Sequence, residues 1–167
     1  MTDGLPTWQL VLLLIATIAG INGVVWLIAL RFVRSKAAAQ LARYGPVDPG
    51  LAGGAPEATL DWAHYIGTTV DGGRYFAPGW WVRGAGRLEL TADALVFRRV
   101  PGREPVVIVP RHAITGLDHR SRFAGRGHLR ANITVVQWTH GGGRFETGWV
   151  LGRDEAARLA WEARIRS

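Results

Sequence analysis

Four arginines and two histidines crowd the stretch HRSRFAGRGHLR (119–130), and no acid lies within it. Guanidinium groups offer paired N–H donors that match the two oxygens of a phosphate or carboxylate. Arg120, Arg122, Arg126 and Arg130 therefore read as a contact surface for anionic lipid or for an acidic protein partner. The ordinary alternative is a solvated loop between two strands, kept in water by its charge.

Nothing else in the chain has the spacing of reactive chemistry. Ser35, Ser121 and Ser167 stand outside any Gly-x-Ser-x-Gly turn. His64, His112, His119, His128 and His140 lack the His-Glu-x-x-His spacing that turns two imidazoles toward one zinc ion. Gly84 and Gly86 lack the Gly-Lys-Ser/Thr of a phosphate loop, and Gly141–Gly143 fits a hairpin turn better. With no Cys there is neither a thiolate nucleophile nor a disulfide. The expectation is a protein that is not an enzyme and uses no cofactor and no metal ion.

The elements that position these residues begin with an anchor. Leu10–Leu30 is an uncharged run, LVLLLIATIAGINGVVWLIAL, in which only Thr17 and Asn22 are clearly polar. A helix of that length spans the roughly 30 Å hydrocarbon core, and in lipid a helix satisfies its own backbone. A cleaved signal peptide fits poorly, because Met1–Gln9 holds Asp3 and no basic residue. The transmembrane helix is expected over about 8–30. Arg31, Arg34, Lys36 and Arg43 all follow it, and Trp8 and Trp26 lie near its ends. Positive charge on that side predicts a single pass with the N-terminus outside and the rest in the cytoplasm, at the plasma (inner) membrane.

Arg31, Arg34 and Lys36, on a basic juxtamembrane helix reaching residue 44, are candidate contacts to anionic headgroups. Ala16 with Gly20 and Ala19 with Gly23 are spaced four apart, which lets two helices approach closely and makes a homodimer one expected outcome. Residues 45–57, GPVDPGLAGGAPE, read as a flexible linker. The formal net charge is +7, but the residues beyond the anchor are only mildly basic, so nucleic acid is not an expected partner.

From 58 to 167 short apolar stretches alternate with turn signals. Tyr65–Val70, Arg87–Thr91, Ala94–Val100, Val106–Val109, Ala113–Leu117, Ile133–Thr139 and Arg144–Val150 read as strands, with His140–Gly143 as a hairpin turn. About seven short strands at near-regular spacing predict an antiparallel barrel or sandwich. Arg153–Arg166 reads as an amphipathic helix with Ala157, Trp161 and Ile165 on one face, suited to sealing an open end of a curved sheet. The fold class is thus α+β: a transmembrane helix, then a β-barrel or sandwich closed by a C-terminal helix.

That order, seven strands and a closing helix with a central Trp, resembles a pleckstrin-homology (PH) domain. The runs GRLELTADALVFRR, VVIVPRHAITGL and ITVVQWTHGGGRFETGWV are similar to bacterial PH-like domains. The arrangement also resembles small actinobacterial membrane-anchored proteins with one N-terminal span. Trp161 matches the Trp of the PH closing helix. The resemblance implies a binding or adaptor module, here held at the membrane with a protein-interaction surface. A peripheral domain sensing anionic lipid and a self-associating structural membrane protein are the alternatives. PH domains that bind phosphoinositides cluster Lys and Arg around the loop joining their first two strands. The matching loop, VDGGRYFAPGW, offers only Arg74. Trp80 and Trp81 are either core residues or an exposed contact.

Overall fold

The structure is a computed structural model that describes residues 6–77, 80, 82–100, 102, 105–127, 132–152 and 154–166, without the side chains of 105, 106 and 126. The chain divides into two compact units, Met1–Lys36 and Ala37–Ser167. A single helix, α1, runs over Thr7–Tyr44. It is the one described helix long and apolar enough to cross a membrane, and none of its apolar window is buried. Its few polar groups are satisfied locally. Thr17 Oγ1 donates to the Leu13 carbonyl at 2.8 Å and Asn22 Nδ2 to the Ile18 carbonyl at 2.9 Å. Good helix formers carry it past Arg31 without a break. It ends where Gly45 takes φ +75° and donates its N–H to the Leu41 carbonyl, a left-handed cap followed by Pro46.

The second unit is a curved antiparallel sheet. Its strands are β1 (Ala58–Val70), β2 (Gly73–Arg74), β3 (Gly84–Leu90), β4 (Ala94–Arg99), β5 (Pro105–Pro110), β6 (Ile114–Arg120), β7 (Arg122–Phe123), β8 (Arg126–Gly127), β9 (Ile133–His140) and β10 (Gly143–Val150). The sheet order is β5-β4-β3-β1-β10-β9-β6, with β2 pairing β1 and with β7 and β8 forming a separate small hairpin. Each of the seven expected strands is present. Strand β1, however, starts at Ala58, seven residues earlier than the alternation indicated. The register slips between Leu60 and Ala63, and Trp62 sits there at φ +68°. That bulge breaks the period of two from which a strand is read.

Inside the sheet Tyr65, Leu88, Leu95, Phe97, Val107, Val109, Val136, Trp138, Phe145 and Trp149 are buried. Gly86 permits this packing, since a Cβ there would meet the Arg98 carbonyl oxygen at 2.2 Å and the Phe97 ring at 2.6 Å. Helix α2 (Glu155–Arg166) delivers Trp161 and Ile165 to the same core. Ala157 departs from its expected place and is exposed. The buried stripe is Trp161, Glu162 and Ile165. A carboxylate in that stripe is hidden from an apolar-periodicity reading.

The stretch expected as a linker is packed. Asp48 Oδ1 accepts from the Gly50 N–H at 2.8 Å and starts a short 3₁₀ turn, Pro49–Gly53. Ala52 is buried against Ala94, Val96 and Ile108, beside the half-covered Val47 and Leu51. The last turns of α1 belong to this unit too. Tyr44 is buried edge-on to Phe145, with ring centroids 5.5 Å apart, and its hydroxyl donates to Asp71 Oδ2 at 2.9 Å. The Gln40 side chain donates to the Arg74 carbonyl at 2.9 Å and accepts from the Phe76 N–H at 2.7 Å. Gly141 and Gly143 give Tyr44 its place, for a Cβ on either would lie 1.9 and 2.6 Å from Tyr44 atoms. The compact second unit begins at Ala37. Gly, Pro and Ala content marks a chain without periodicity, which is different from a chain without contacts.

Candidate functional site

The arginine-rich stretch folds as the end of β6 followed by the β7–β8 hairpin. Ala124 and Gly125 take φ +51° and +74° at its turn. Phe123 anchors it, buried with Ile66, Ile133, Val135 and Val150 on the outer side of the sheet. Gly148 makes room, as a Cβ there would meet the Phe123 ring at 2.6 Å. Arg120 turns back onto the sheet. Its Nη1 and Nη2 donate to the two Glu146 carboxylate oxygens at 2.9 and 2.7 Å, and its Nε donates to Asp118 Oδ2 at 2.7 Å. The bonds to Glu146 raise the Arg120 pKa, while those from Arg120 and the His119 N–H lower that of Asp118. His119 Nε2 lies 2.7 Å from Glu162 Oε1. Arg122 is exposed. The backbone of Arg126 lies in β8, while Arg130 and His128 fall outside the described residues. Of the four arginines, then, one is committed to internal carboxylates and one is exposed to solvent.

The loop after β1 is filled by its own aromatic residues. Tyr75, Ala77 and Trp80 are buried. Trp80 packs 5.4 Å from Tyr75 and 5.9 Å from Trp138, and Tyr75 packs 5.1 Å from Phe145. Tyr65 donates its hydroxyl to the Trp80 carbonyl, and burial pushes its pKa far up. Thr68 Oγ1 donates to Thr147 Oγ1 at 3.1 Å, and Trp138 Nε1 donates to the same oxygen at 3.0 Å. These interior polar groups satisfy one another, as packing requires. Trp80 is thus a core residue, while Trp81 falls outside the described residues. Among the described residues no three His, Cys, Asp or Glu side chains group as a metal site.

The two ends of the sheet differ. Strand β5 begins and ends in proline, which has no N–H to offer a further strand. Strand β6, ITGLDHR, has no proline and no lysine. Its edge borders a groove of about 500 Å³ lined by Arg111, Ile114, Thr115, Leu117, Ile165 and Arg166. Ile114 and Leu117 are only half-covered, and Thr115 is exposed. Glu162 fixes α2 beside this edge. Its Oε1 accepts from Thr134 Oγ1 at 2.9 Å and Arg158 Nη1 at 3.0 Å, with His119 Nε2 at 2.7 Å. Burial alone would raise the Glu162 pKa, but the bonds to His119, Thr134 and Arg158 outweigh it and the net shift is downward.

The family model described as Bacterial PH domain-like matches residues 46–166. The chain belongs to this family. No curated protein sequence matches it. Among solved structures, one of Vav1 inhibited by an allosteric inhibitor aligns at 13% identity and a TM-score of 0.38, over 81% of this chain and 33% of that one. This chain therefore corresponds to a third of the Vav1 chain, and at that score the likeness carries no argument.

The PH-like domain with an N-terminal candidate membrane helix is consistent with a membrane-associated module. In the first unit Arg31, Arg34 and Lys36 are exposed, with Lys36 Nζ 5.7 Å from the Phe32 ring centroid. Ala16, Gly20 and Gly23 are exposed, and nothing lies within 4 Å of a Cβ built on either glycine. The reading by charge missed Asp118, Glu146 and Glu162. Asp118 borders the arginine-rich stretch and was legible there. Glu146 and Glu162 stand on β10 and α2, and only the folded chain brings them to it.

Proposed function

We propose that this protein is a single-pass, membrane-tethered binding module that holds a protein-interaction surface at the cytoplasmic face of the membrane. The observation that carries this reading is the contrast between the two sheet ends. Strand β5 is bounded by prolines, whereas β6, irregular only at Thr115, is a terminal strand without proline beside a groove walled by Ile114, Leu117 and Ile165. An extended segment of a partner pairs with such an edge through main-chain hydrogen bonds. The aromatic filling of the loop after β1 supports the same reading, because it occupies the place where a cationic lipid site would need to open.

A second reading is favoured by one observation, the exposed Arg122 on the β7–β8 hairpin. In it Arg122, Arg126 and Arg130, with Arg31, Arg34 and Lys36, meet anionic headgroups. Helix pairing through Ala16, Gly20 and Gly23 is compatible with either. The first reading is tested by placing a photo-crosslinking residue at Thr115 of the full chain in its native membrane. A discrete adduct with another polypeptide is expected at Thr115 and not at Thr59, which is exposed on β1. Recovery of the bait alone from Thr115 counts against it.

A further inference from the structure

The groove between β6 and α2 has two unlike ends. At one, β6 starts just after the short turn Arg111–Ala113, and α2 finishes with Ile165 and Arg166. Arg111, Ile114, Ile165 and Arg166 all line the groove there. At the other, beyond Leu117, His119 of β6 reaches across to α2, with its Nε2 2.7 Å from Glu162 Oε1. Strand and helix therefore run in opposite directions, and the His119–Glu162 bridge ties them together past the last lining residue of the strand. Between bridge and turn the strand offers Ile114–Leu117, a length of about 13 Å in extended chain.

The end away from the bridge is basic. Arg111 and Arg166 are among the residues lining the groove, and no carboxylate is. Arg111 is engaged already. Its Nη1 donates to Glu57 Oε2 at 3.0 Å and its Nη2 to the Arg164 carbonyl at 3.5 Å. Arg166 is exposed, and among the described residues it has no hydrogen bond or ion pair. The carbonyl end of α2 sets a partial negative charge of about half a unit against it. One guanidinium exceeds that, so a positive surplus stands beside the aliphatic wall.

An occupant is selected by both features. Ile114, Leu117 and Ile165 suit an aliphatic side chain. A guanidinium with unused paired donors suits a carboxylate and repels a cation, which discriminates between partners as well as attracting one. Side chains two apart on an extended chain share a face, so one segment presents both groups to the groove at once. We propose that the partner segment bound along β6 is short and acidic, with an aliphatic residue against Ile114, Leu117 and Ile165 and an Asp or Glu two positions away on Arg166. This rests on the reading of β6 as the partner edge and adds the chemistry of the partner.

The test uses the full chain in its native membrane, with a photo-crosslinking residue at Thr115, which lines the same groove. Adduct yield is compared among the otherwise unchanged protein, Arg166→Gln, Arg166→Glu and Arg122→Glu, and the attached segment is sequenced by mass spectrometry. Arg166 and Arg122 are both exposed, so each variant keeps the denaturation midpoint, and both Glu substitutions change the charge equally. The yield is expected to fall about threefold in Arg166→Gln and about tenfold in Arg166→Glu, as an exposed pair is first lost and then replaced by like charges. Arg122→Glu keeps the full yield, and added salt lowers it in the unchanged protein. The attached segment carries Asp or Glu two residues from an aliphatic one. An undiminished adduct in Arg166→Glu overturns the inference while leaving β6 as the partner edge. So does an equal loss in Arg122→Glu, or an attached segment without an acid at that spacing. No adduct at Thr115 in the unchanged protein removes the edge reading itself, and this inference with it.

Discussion

At one end of the sheet β5 is bounded by Pro105 and Pro110, and the Pro49–Gly53 turn packs Ala52 against Val96 and Ile108 close by. At the other end β6 carries Ile114, Thr115, Gly116 and Leu117 beside a helix held by a buried carboxylate. Both are terminal strands of the same sheet. An open strand edge invites pairing with any chain, and proteins blunt the edges they do not use. Here one edge is closed by backbone chemistry, while the other is left beside a groove whose wall is built at some energetic risk. Burying Glu162 of α2 against the sheet is stable only while its partners stay in place.

The contrast can be broken most severely at Trp161. Trp161→Ala removes a buried ring that seats α2 on the core. A cost of about 3–5 kcal/mol is expected, read as a lower denaturation midpoint of the full chain in lipid nanodiscs, with loss of Thr115 crosslinking. Glu162→Ala comes next. It strips the carboxylate from Arg158, whose side chain is only 12% exposed, and about 3 kcal/mol is expected for leaving a largely buried charge unpaired.

Acid makes a graded version of the same change. The folded pKa of Glu162 is depressed, so its stabilisation is complete above the ordinary carboxylate range. It is lost as pH falls toward the lower folded value. Wild type should therefore lose stability on acidification through that window more steeply than Glu162→Gln, a comparison made by denaturation at a series of pH values.

The two arginines of the β6–β8 region whose side chains are described separate a structural role from a surface one. Arg120→Ala leaves Glu146 and Asp118 without their shared cation, at a cost of about 1 kcal/mol for a partly exposed network. Arg122→Ala, on an exposed residue, should stay within about 0.5 kcal/mol of wild type. Equal effects would erase the distinction drawn between them.

Much of the architecture was legible because its signals are local. Leu10–Leu30 needs only its own lack of charge to be read as a span. The strands β3, β4, β9 and β10 show themselves through alternation, and Trp161 through helical spacing. The first half of β1 was hidden by the Trp62 bulge, which shifts the register and with it the faces of the strand. The composition of residues 45–57 gave no sign that Val47, Leu51 and Ala52 pack beside Ala94, Val96 and Ile108. The candidate site was least legible where charges pair across distant elements. Nothing near Arg120 in sequence foretells Glu146, and nothing near His119 foretells Glu162. A run of arginines looked uniformly available until those carboxylates arrived.

The edge of β6 carries the central claim, and blocking it is the most direct test. A lysine on an edge strand discourages pairing with a further strand, so Thr115→Lys should remove a bound partner while leaving the denaturation midpoint nearly unchanged. Full-length wild type, Thr115→Lys and Arg122→Ala, isolated from native membranes after crosslinking, are compared for the amount of co-purifying partner. The account predicts loss in Thr115→Lys and retention in Arg122→Ala. Retention in Thr115→Lys with loss in Arg122→Ala would contradict it and move the binding surface to the arginine hairpin.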